Sequence, residues 1–137
     1  TGPEIWNQTN GNVTHFVSAM GTTGTITGVS RYLKEKDNSI QIIGVQPTEG
    51  SRIPGIRRWQ SEYVPEIFKD AIVDQIIDIS QSDAEKSMSD VSKNNGLFVG
   101  ISAGANIHIS KTIAMDLNNA VIVTVLCDRG DRYLSNI

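Results

Sequence analysis

The chain has 137 residues, a length typical of one domain that buries a substantial core. Hydrophobic residues make up 39% and charged residues 20% of the sequence, and the formal net charge is -3 with both signs mixed along the chain. These values exclude a disordered or fibrous protein, and the lack of a basic stripe or a long apolar run argues against nucleic-acid binding and membrane insertion.

The first half of the sequence predicts two helices and two strands, followed by an irregular stretch. A first short helix begins at Thr1, Gly2 and Pro3, with proline in the first turn, and ends near Asn10. The chain does not open with methionine, so we expect a piece of a longer protein. The next predicted elements are a strand at 13–20, a helix at 25–36, a buried strand at 40–45 and an irregular segment at 49–65.

The second half predicts two more strands and two more helices. They are a strand at 72–79, a helix capped by Ser82 and Asp83 that Gly96 ends, a short apolar piece at 97–101, a helix from 102 to about 117, and a strand at 120–126. Strands and helices therefore alternate, which predicts an α/β fold with a parallel sheet and right-handed crossovers.

The loops after the strands should meet, because ligands of parallel sheets bind at the carboxyl ends of the strands. Three loops qualify: residues 21–25, named the Gly-Thr loop here, residues 47–59, named the Arg-Trp loop, and the segment from Cys127 to Arg129. Ser102, at the start of a helix, should join them. The sequence predicts one crevice formed by these four segments.

The Gly-Thr loop lies within HFVSAMGTTGTITGV, where an apolar strand leads into a helix. Successive backbone N–H groups, the positive end of the helix and the threonine hydroxyls could together bind one phosphate. The loop is neither a Walker loop nor a dinucleotide fingerprint, and it also fits an ordinary turn with capping threonines. The predicted phosphate ligands are Gly21, Thr22, Thr23, Gly24 and Thr25.

Four motifs in order carry a family resemblance: TGPEIW, HFVSAMGTTGTITGVSRYLK, EGSRIPGIRRW and CDRGDRYLS. They resemble the fold-type II pyridoxal-phosphate enzymes and, within them, the O-acetylserine sulfhydrylases of the cysteine synthase B type. The resemblance implies a tryptophan synthase β-like fold and pyridoxal 5'-phosphate as cofactor. It also implies that residues 1–137 form a single α/β domain, the C-terminal part of an enzyme that is usually a homodimer.

The resemblance implies a role for each matched residue. The Gly-Thr loop would bind the cofactor phosphate, and the hydroxyl of Ser102 would meet the pyridine nitrogen. A neutral hydroxyl there leaves the ring a weaker electron sink, which favours β-elimination over racemisation. Asp128 is the alternative partner of that nitrogen, and Ser102 also fits a helix cap. The implied substrate pocket consists of Gly55, Arg57, Trp59 and Cys127.

The implied reaction is a β-replacement in which sulfide or thiosulfate displaces acetate from O-acetylserine, giving cysteine or S-sulfocysteine. Arg57 suits thiosulfate because a guanidinium binds oxyanions in a fork. The family's Schiff-base lysine belongs to its N-terminal half, and its motif does not occur here, so no residue of this chain is predicted to be catalytic and the chain alone is expected to be inactive.

Two other functions fit parts of the sequence. Another fold-type II lyase would share the Gly-Thr loop, although IPGIRRW argues against it, and a phosphate-ligand binding module would need no catalytic lysine. No Cys/His spacing predicts a metal site. The single cysteine, Cys127, fits a reducing compartment, so we expect a cytoplasmic protein.

Overall fold

The computed structural model describes residues 1–136, with side chains through Leu134; Ile137, the last residue of the predicted domain, lies outside the described residues. Its strands are β1 (His15–Ala19), β2 (Gln41–Pro47), β3 (Gln75–Ile79) and β4 (Ile122–Thr124). Its helices are α1 (Gly2–Gln8), α2 (Gly24–Lys36), α3 (Gln81–Asn95) and α4 (Ile101–Ala114).

The four strands form one parallel sheet in the order β3-β2-β1-β4. Phe16 and Val17, adjacent in the central strand β1, are both fully buried and point to opposite faces. Phe16 packs in a cluster with residues of α1 and α2, and Val17 in a cluster with residues of α3 and α4. Helices therefore cover both faces, and the predicted α/β fold with a parallel sheet is confirmed.

Three predicted strands are shorter in the structure: β1 covers only His15–Ala19, β3 begins only at Gln75 and β4 covers only Ile122–Thr124. Side chains take some of the backbone groups next to β3 and β4, since the N–H of Ile72 donates to Ser30 Oγ in α2 at 3.0 Å. The N–H of Val121 donates to Thr14 Oγ1 at 2.9 Å.

Three helices begin earlier than the sequence predicts, since α2 begins at Gly24 rather than at residue 25 and α3 and α4 begin earlier as well. Helix α3 is capped by Ser80, not by Ser82, because the Ser80 hydroxyl accepts the N–H of Asp83 at 3.1 Å. Helix α4 has Gly100 as its N-cap, which places Ser102 in the first turn. The suggestion that Ser102 caps this helix is therefore wrong, and its hydroxyl is free for another role.

The remaining segments are loops and short 3-10 turns at Ser61–Tyr63, Glu66–Asp70 and Gly130–Asn136. Gly96 ends α3 in the left-handed conformation with φ of 67°, as the sequence predicts. Within residues 1–136, none of the helices has both the length and the apolar character needed to cross a membrane.

Candidate functional site

A cavity of about 320 Å³, named the site cavity here, lies where β1 ends and α2 and α4 begin. The four segments that the sequence predicts to meet all contribute to it, together with Ala19 of β1 and Arg132. Its lining residues are Ala19, Gly21, Thr22, Thr23, Thr25, Gly55, Ser102, Cys127, Asp128 and Arg132. The structure thus brings seven of the ten predicted site residues together, and it leaves Gly24, Arg57 and Trp59 outside this lining.

Thr23 is the most unusual residue of the Gly-Thr loop. It has φ of 69°, a left-handed conformation that β-branched residues rarely adopt, and it is the N-cap of α2. Its hydroxyl is buried and has no hydrogen-bond partner among the described residues. A buried hydroxyl without a partner is costly, and strained backbone of this kind is concentrated at ligand sites.

Gly21 and Gly55 bring the Gly-Thr loop and the Arg-Trp loop into direct contact. A Cβ atom at Gly21 would lie 2.6 Å from the carbonyl oxygen of Gly55, so any side chain there would separate the loops. Gly55 has φ of 83°, and a Cβ at this position would lie 3.9 Å from Ser102 Oγ. The Ser102 hydroxyl therefore lies beside the point where the two loops meet.

Trp59 and Arg57 hold the Arg-Trp loop from the other side. The indole Nε1 of Trp59 donates to the carbonyl oxygen of Gly21 at 2.8 Å. The backbone N–H of Arg57 donates to the carbonyl oxygen of Met20 at 2.9 Å. The Arg57 guanidinium lies 5.5 Å from the centre of the Trp59 ring. Both side chains line a neighbouring groove of about 560 Å³, on which Thr48 and Tyr63 also lie.

Arg58, next to Arg57, has a structural role. Its guanidinium forms an ion pair with Asp78 and donates from Nε to the carbonyl oxygen of Pro47 at 3.2 Å. A hydrogen bond from Gln46, together with Arg58, holds the pKa of Asp78 below its usual value. Of these two neighbouring arginines, only Arg57 has no carboxylate partner among the described residues.

Asp128 and Tyr133 form a hydrogen-bonded pair at the edge of the site cavity. The Tyr133 hydroxyl donates to Asp128 Oδ2 at 2.6 Å, and this bond, with burial, raises the pKa of Tyr133 to about 12. The other oxygen, Asp128 Oδ1, is buried with no hydrogen-bond partner among the described residues. Ser102 and Asp128, the two alternative partners of a pyridine nitrogen, thus line the same cavity.

Sequence reasoning missed Arg132 and Asn106. Arg132 lines the site cavity. Its position just after the predicted Cys127–Arg129 segment could have indicated a cationic residue at the site. Asn106 lies one turn after Ser102 in α4 and is fully buried, bonded to segments on two sides of the cavity. Its signal was a lone amide in the otherwise small and apolar stretch GISAGANI.

Other surface features do not compete with this site. A larger groove of about 600 Å³ between α3 and α4 contains Lys86, His108 and Lys111 but none of the predicted site residues. Among residues 1–136, no group of three or more histidine, cysteine, aspartate or glutamate side chains is arranged to hold a metal ion.

Comparison with known proteins relates this chain to one family. The family model described as pyridoxal-phosphate dependent enzyme matches residues 1–128. Among curated proteins, cysteine synthase B of Pseudomonas aeruginosa is 54% identical over 136 residues, which is 99% of this chain and 46% of that protein.

Solved structures show the same relationship in three dimensions. O-acetyl serine sulfhydrylase isoform 3 of Entamoeba histolytica superposes with a TM-score of 0.87 at 36% identity, over 98% of this chain and 43% of that one. The O-acetylserine dependent cystathionine beta-synthase of Helicobacter pylori superposes with a TM-score of 0.84 at 34% identity, over 98% of this chain and 46% of that one. The chain therefore spans about half the length of these relatives.

Proposed function

This chain belongs to the family of pyridoxal-phosphate dependent enzymes, and on that premise we propose that the protein containing it is a cysteine synthase of the B type. It would replace the acetate of O-acetylserine with sulfide or thiosulfate, giving cysteine or S-sulfocysteine. The observation that carries the proposal is the meeting of the Gly-Thr loop and Ser102 at one cavity. The names of the Entamoeba and Helicobacter proteins, both of which include O-acetylserine, support this substrate.

The residues of the site cavity fit the cofactor of this family, pyridoxal phosphate. A phosphate needs several donors, and the start of α2 offers backbone N–H groups together with the buried hydroxyl of Thr23, which has no partner among the described residues. We assign the phosphate to Gly21, Thr22, Thr23, Gly24 and Thr25. Gly24 would contribute its backbone N–H, which is the first of the helix and makes only a long hydrogen bond of 3.5 Å to Thr22 Oγ1.

We assign the ring nitrogen to the hydroxyl of Ser102. When bound, pyridoxal phosphate supplies the electron sink for eliminating acetate and adding sulfur. Ser102 would donate a neutral hydrogen bond to the nitrogen, so the ring would not gain a full positive charge. Asp128 would instead hold a proton there: its Oδ2 accepts the hydrogen bond of Tyr133, but its Oδ1 has no partner among the described residues, so Asp128 stays the alternative ligand. We prefer Ser102 because its segment resembles the part of the family's sequence in which a serine hydroxyl meets this nitrogen.

The four residues of the proposed substrate pocket lie on two neighbouring surfaces, the site cavity and the groove beside it. Gly55 and Cys127 line the site cavity and would limit its size, whereas Arg57 and Trp59 lie in the neighbouring groove. Because Arg57 has no described carboxylate partner, its guanidinium is available to an anion that approaches through this groove. Thiosulfate carries two negative charges and would gain more from Arg57 than sulfide would.

The remaining features of the proposal concern the whole protein. Because the chain spans about half of its relatives, we propose that the catalytic lysine comes from another part of the protein and that the chain alone does not turn over. A homodimer in the cytoplasm is the assembly and location we propose. The single cysteine supports a reducing compartment.

The decisive measurement is cysteine or S-sulfocysteine formation by the full-length protein from O-acetylserine, with sulfide and with thiosulfate as separate donors. In Arg57→Ala, we expect kcat/KM for thiosulfate to fall about 10- to 100-fold, the equivalent of one charge-assisted hydrogen bond, and that for sulfide to change less than about twofold. Arg52→Ala, an exposed arginine of the same loop outside the groove, is the matched control.

The alternatives predict different results. Equal losses with both donors would contradict the role of Arg57. A protein that binds pyridoxal phosphate yet forms product with neither donor would be another lyase of the same fold, and one that binds no pyridoxal phosphate would be a binding module for a different phosphate ligand.

A further inference from the structure

We propose that Asn106 is a positioning residue of the cofactor site, whose side-chain amide sets the spacing between the Gly-Thr loop and the Cys127 segment. The inference rests on the function proposed above, because it concerns the same cavity. It adds a residue that neither touches the cavity nor belongs to the motifs that carry the family resemblance.

The side chain of Asn106 connects two strand ends. Its Oδ1 accepts the N–H of Ala19, the last residue of β1, at 2.7 Å. Its Nδ2 donates to the carbonyl oxygen of Val125, the residue after β4, at 2.8 Å, and lies 4.0 Å from Cys127 Sγ. Asn106 itself is fully buried, whereas Ala19 and Val125 are half-buried, so water can compete with these bonds only from the side of the strand ends.

The position of these bonds explains what they do. The ladder between β1 and β4 ends with the pair Val17 and Thr124, and beyond it the two strands separate to form the cavity. A side-chain amide has one donor and one acceptor group like a peptide unit, so Asn106 bridges the strands just where they no longer pair directly. It thereby limits how far the strand ends can separate.

The same residue also links these ends to α4. Asn106 follows Ser102 by one helical turn, so a single helix carries both the bridge and the proposed ligand of the ring nitrogen. Ala19 lies two residues before Gly21, and Val125 lies two residues before Cys127. A shift of the amide would therefore move three walls of the cavity relative to one another.

Amide hydrogen exchange of the full-length protein without cofactor tests this role independently of activity. In Asn106→Ala, we expect at least tenfold faster exchange in residues 19–25 and in residues 122–128. Ser30→Ala is the matched control, since Ser30 is equally buried and accepts the N–H of Ile72 at 3.0 Å but lies outside the cavity lining. In Ser30→Ala, the amide exchange rates of residues 19–25 and 122–128 should match those of the wild type.

Asn106→Asp separates the two bonds. When ionised, the carboxylate keeps an acceptor for Ala19 but turns an oxygen that cannot donate toward the carbonyl oxygen of Val125, which it repels. At a pH where the new carboxyl group is ionised, exchange should therefore increase in residues 122–128 and stay near the wild-type rate in residues 19–25. Equal changes in both segments, or in neither, would overturn the bridging role. This variant conserves side-chain size, so it also serves if Asn106→Ala fails to fold.

Pyridoxal phosphate affinity connects the bridge to the site. Asn106→Ala should weaken cofactor binding at least tenfold and broaden the absorbance band of the bound cofactor, whereas Ser30→Ala should change the affinity less than twofold. Equal affinity losses in the two variants would mean that Asn106 contributes stability only, which overturns the proposal. If the wild type binds no pyridoxal phosphate, the proposed function fails, and the exchange rates alone then decide whether Asn106 bridges the strands.

Discussion

At the scale of single residues, the close approach of Gly21 to Gly55 determines the shape of the site. The two loops touch at a point where a Cβ atom would lie 2.6 Å from a carbonyl oxygen. Backbone cannot yield as a flexible side chain does, so the loops must separate to admit even a methyl group.

We therefore expect Gly21→Ala to lower the free energy of unfolding by about 1–3 kcal/mol and to weaken pyridoxal phosphate binding at least tenfold. Gly28→Ala is the matched control, because no atom lies within 4 Å of a Cβ at this position in α2. That change should stabilise the protein by about 0.5–1 kcal/mol. Urea unfolding and cofactor titration measure both effects; unchanged affinity in Gly21→Ala would show that the loop contact does not shape the site.

At the scale of secondary-structure elements, a partly buried ion pair fixes the end of α2 against the sheet. Lys34 Nζ lies 2.8 Å from Asp74 Oδ2, and Asp74 also accepts the N–H of Ile42 at 2.7 Å. The Lys34 side chain is only 6% exposed, and its ammonium is held by Asp74 and by the carbonyl oxygen of Asn38, which lies 3.1 Å away. The pair joins α2 to β2 and to the segment before β3.

Asp74→Ala should lower the free energy of unfolding by about 2 kcal/mol, because it leaves the buried Lys34 ammonium with only the carbonyl oxygen of Asn38 as a partner. Glu66→Ala removes the exposed Lys69–Glu66 pair and should cost at most about 1 kcal/mol. Chemical denaturation of both variants tests the contrast. Similar small losses would indicate that water already screens Lys34 in the folded protein.

At the scale of the whole molecule, stability should depend on pH at both extremes. Burial alone would raise the pKa of Asp74, but hydrogen bonds from Lys34 and Ile42 hold it below the ordinary value of 3.8. A carboxyl group whose pKa is lowered by folding stabilises the folded protein at pH values above its pKa in the unfolded chain. This stabilisation is lost as the pH falls through the lower pKa of the folded state. Acid should therefore weaken the anchoring of α2.

At the alkaline end, the relevant group is Tyr133. Its pKa is raised from 10.0 to about 12, so its contribution to stability is complete below pH 10 and is lost as the pH rises toward 12. Tyr133→Phe cannot ionise or donate to Asp128. We expect this variant to be less stable than the wild type at pH 8 and the difference to shrink between pH 10 and 12, as measured by urea unfolding. A difference independent of pH would contradict the assigned hydrogen bond.

The fold class and the segments that meet at the candidate site could be predicted from the sequence alone. Alternating apolar strands and amphipathic helices allow little besides a parallel sheet with helices on both faces, and the carboxyl ends of its strands must lie at one edge. The Gly-Thr loop, Gly55, Ser102 and Cys127 could therefore be predicted to meet, since local patterns place each of them at or near an element end.

The contacts that hold these segments together could not be predicted and became visible only in the folded chain. That Trp59 donates to Gly21, that Asp128 pairs with Tyr133 and that Asn106 bridges β1 and β4 depend on distances between residues far apart in the chain. The same holds for Arg57, which lies in the neighbouring groove because its loop folds back on Met20. Local sequence patterns report backbone preference and burial, but a hydrogen bond across the fold depends on how the completed core orients each element.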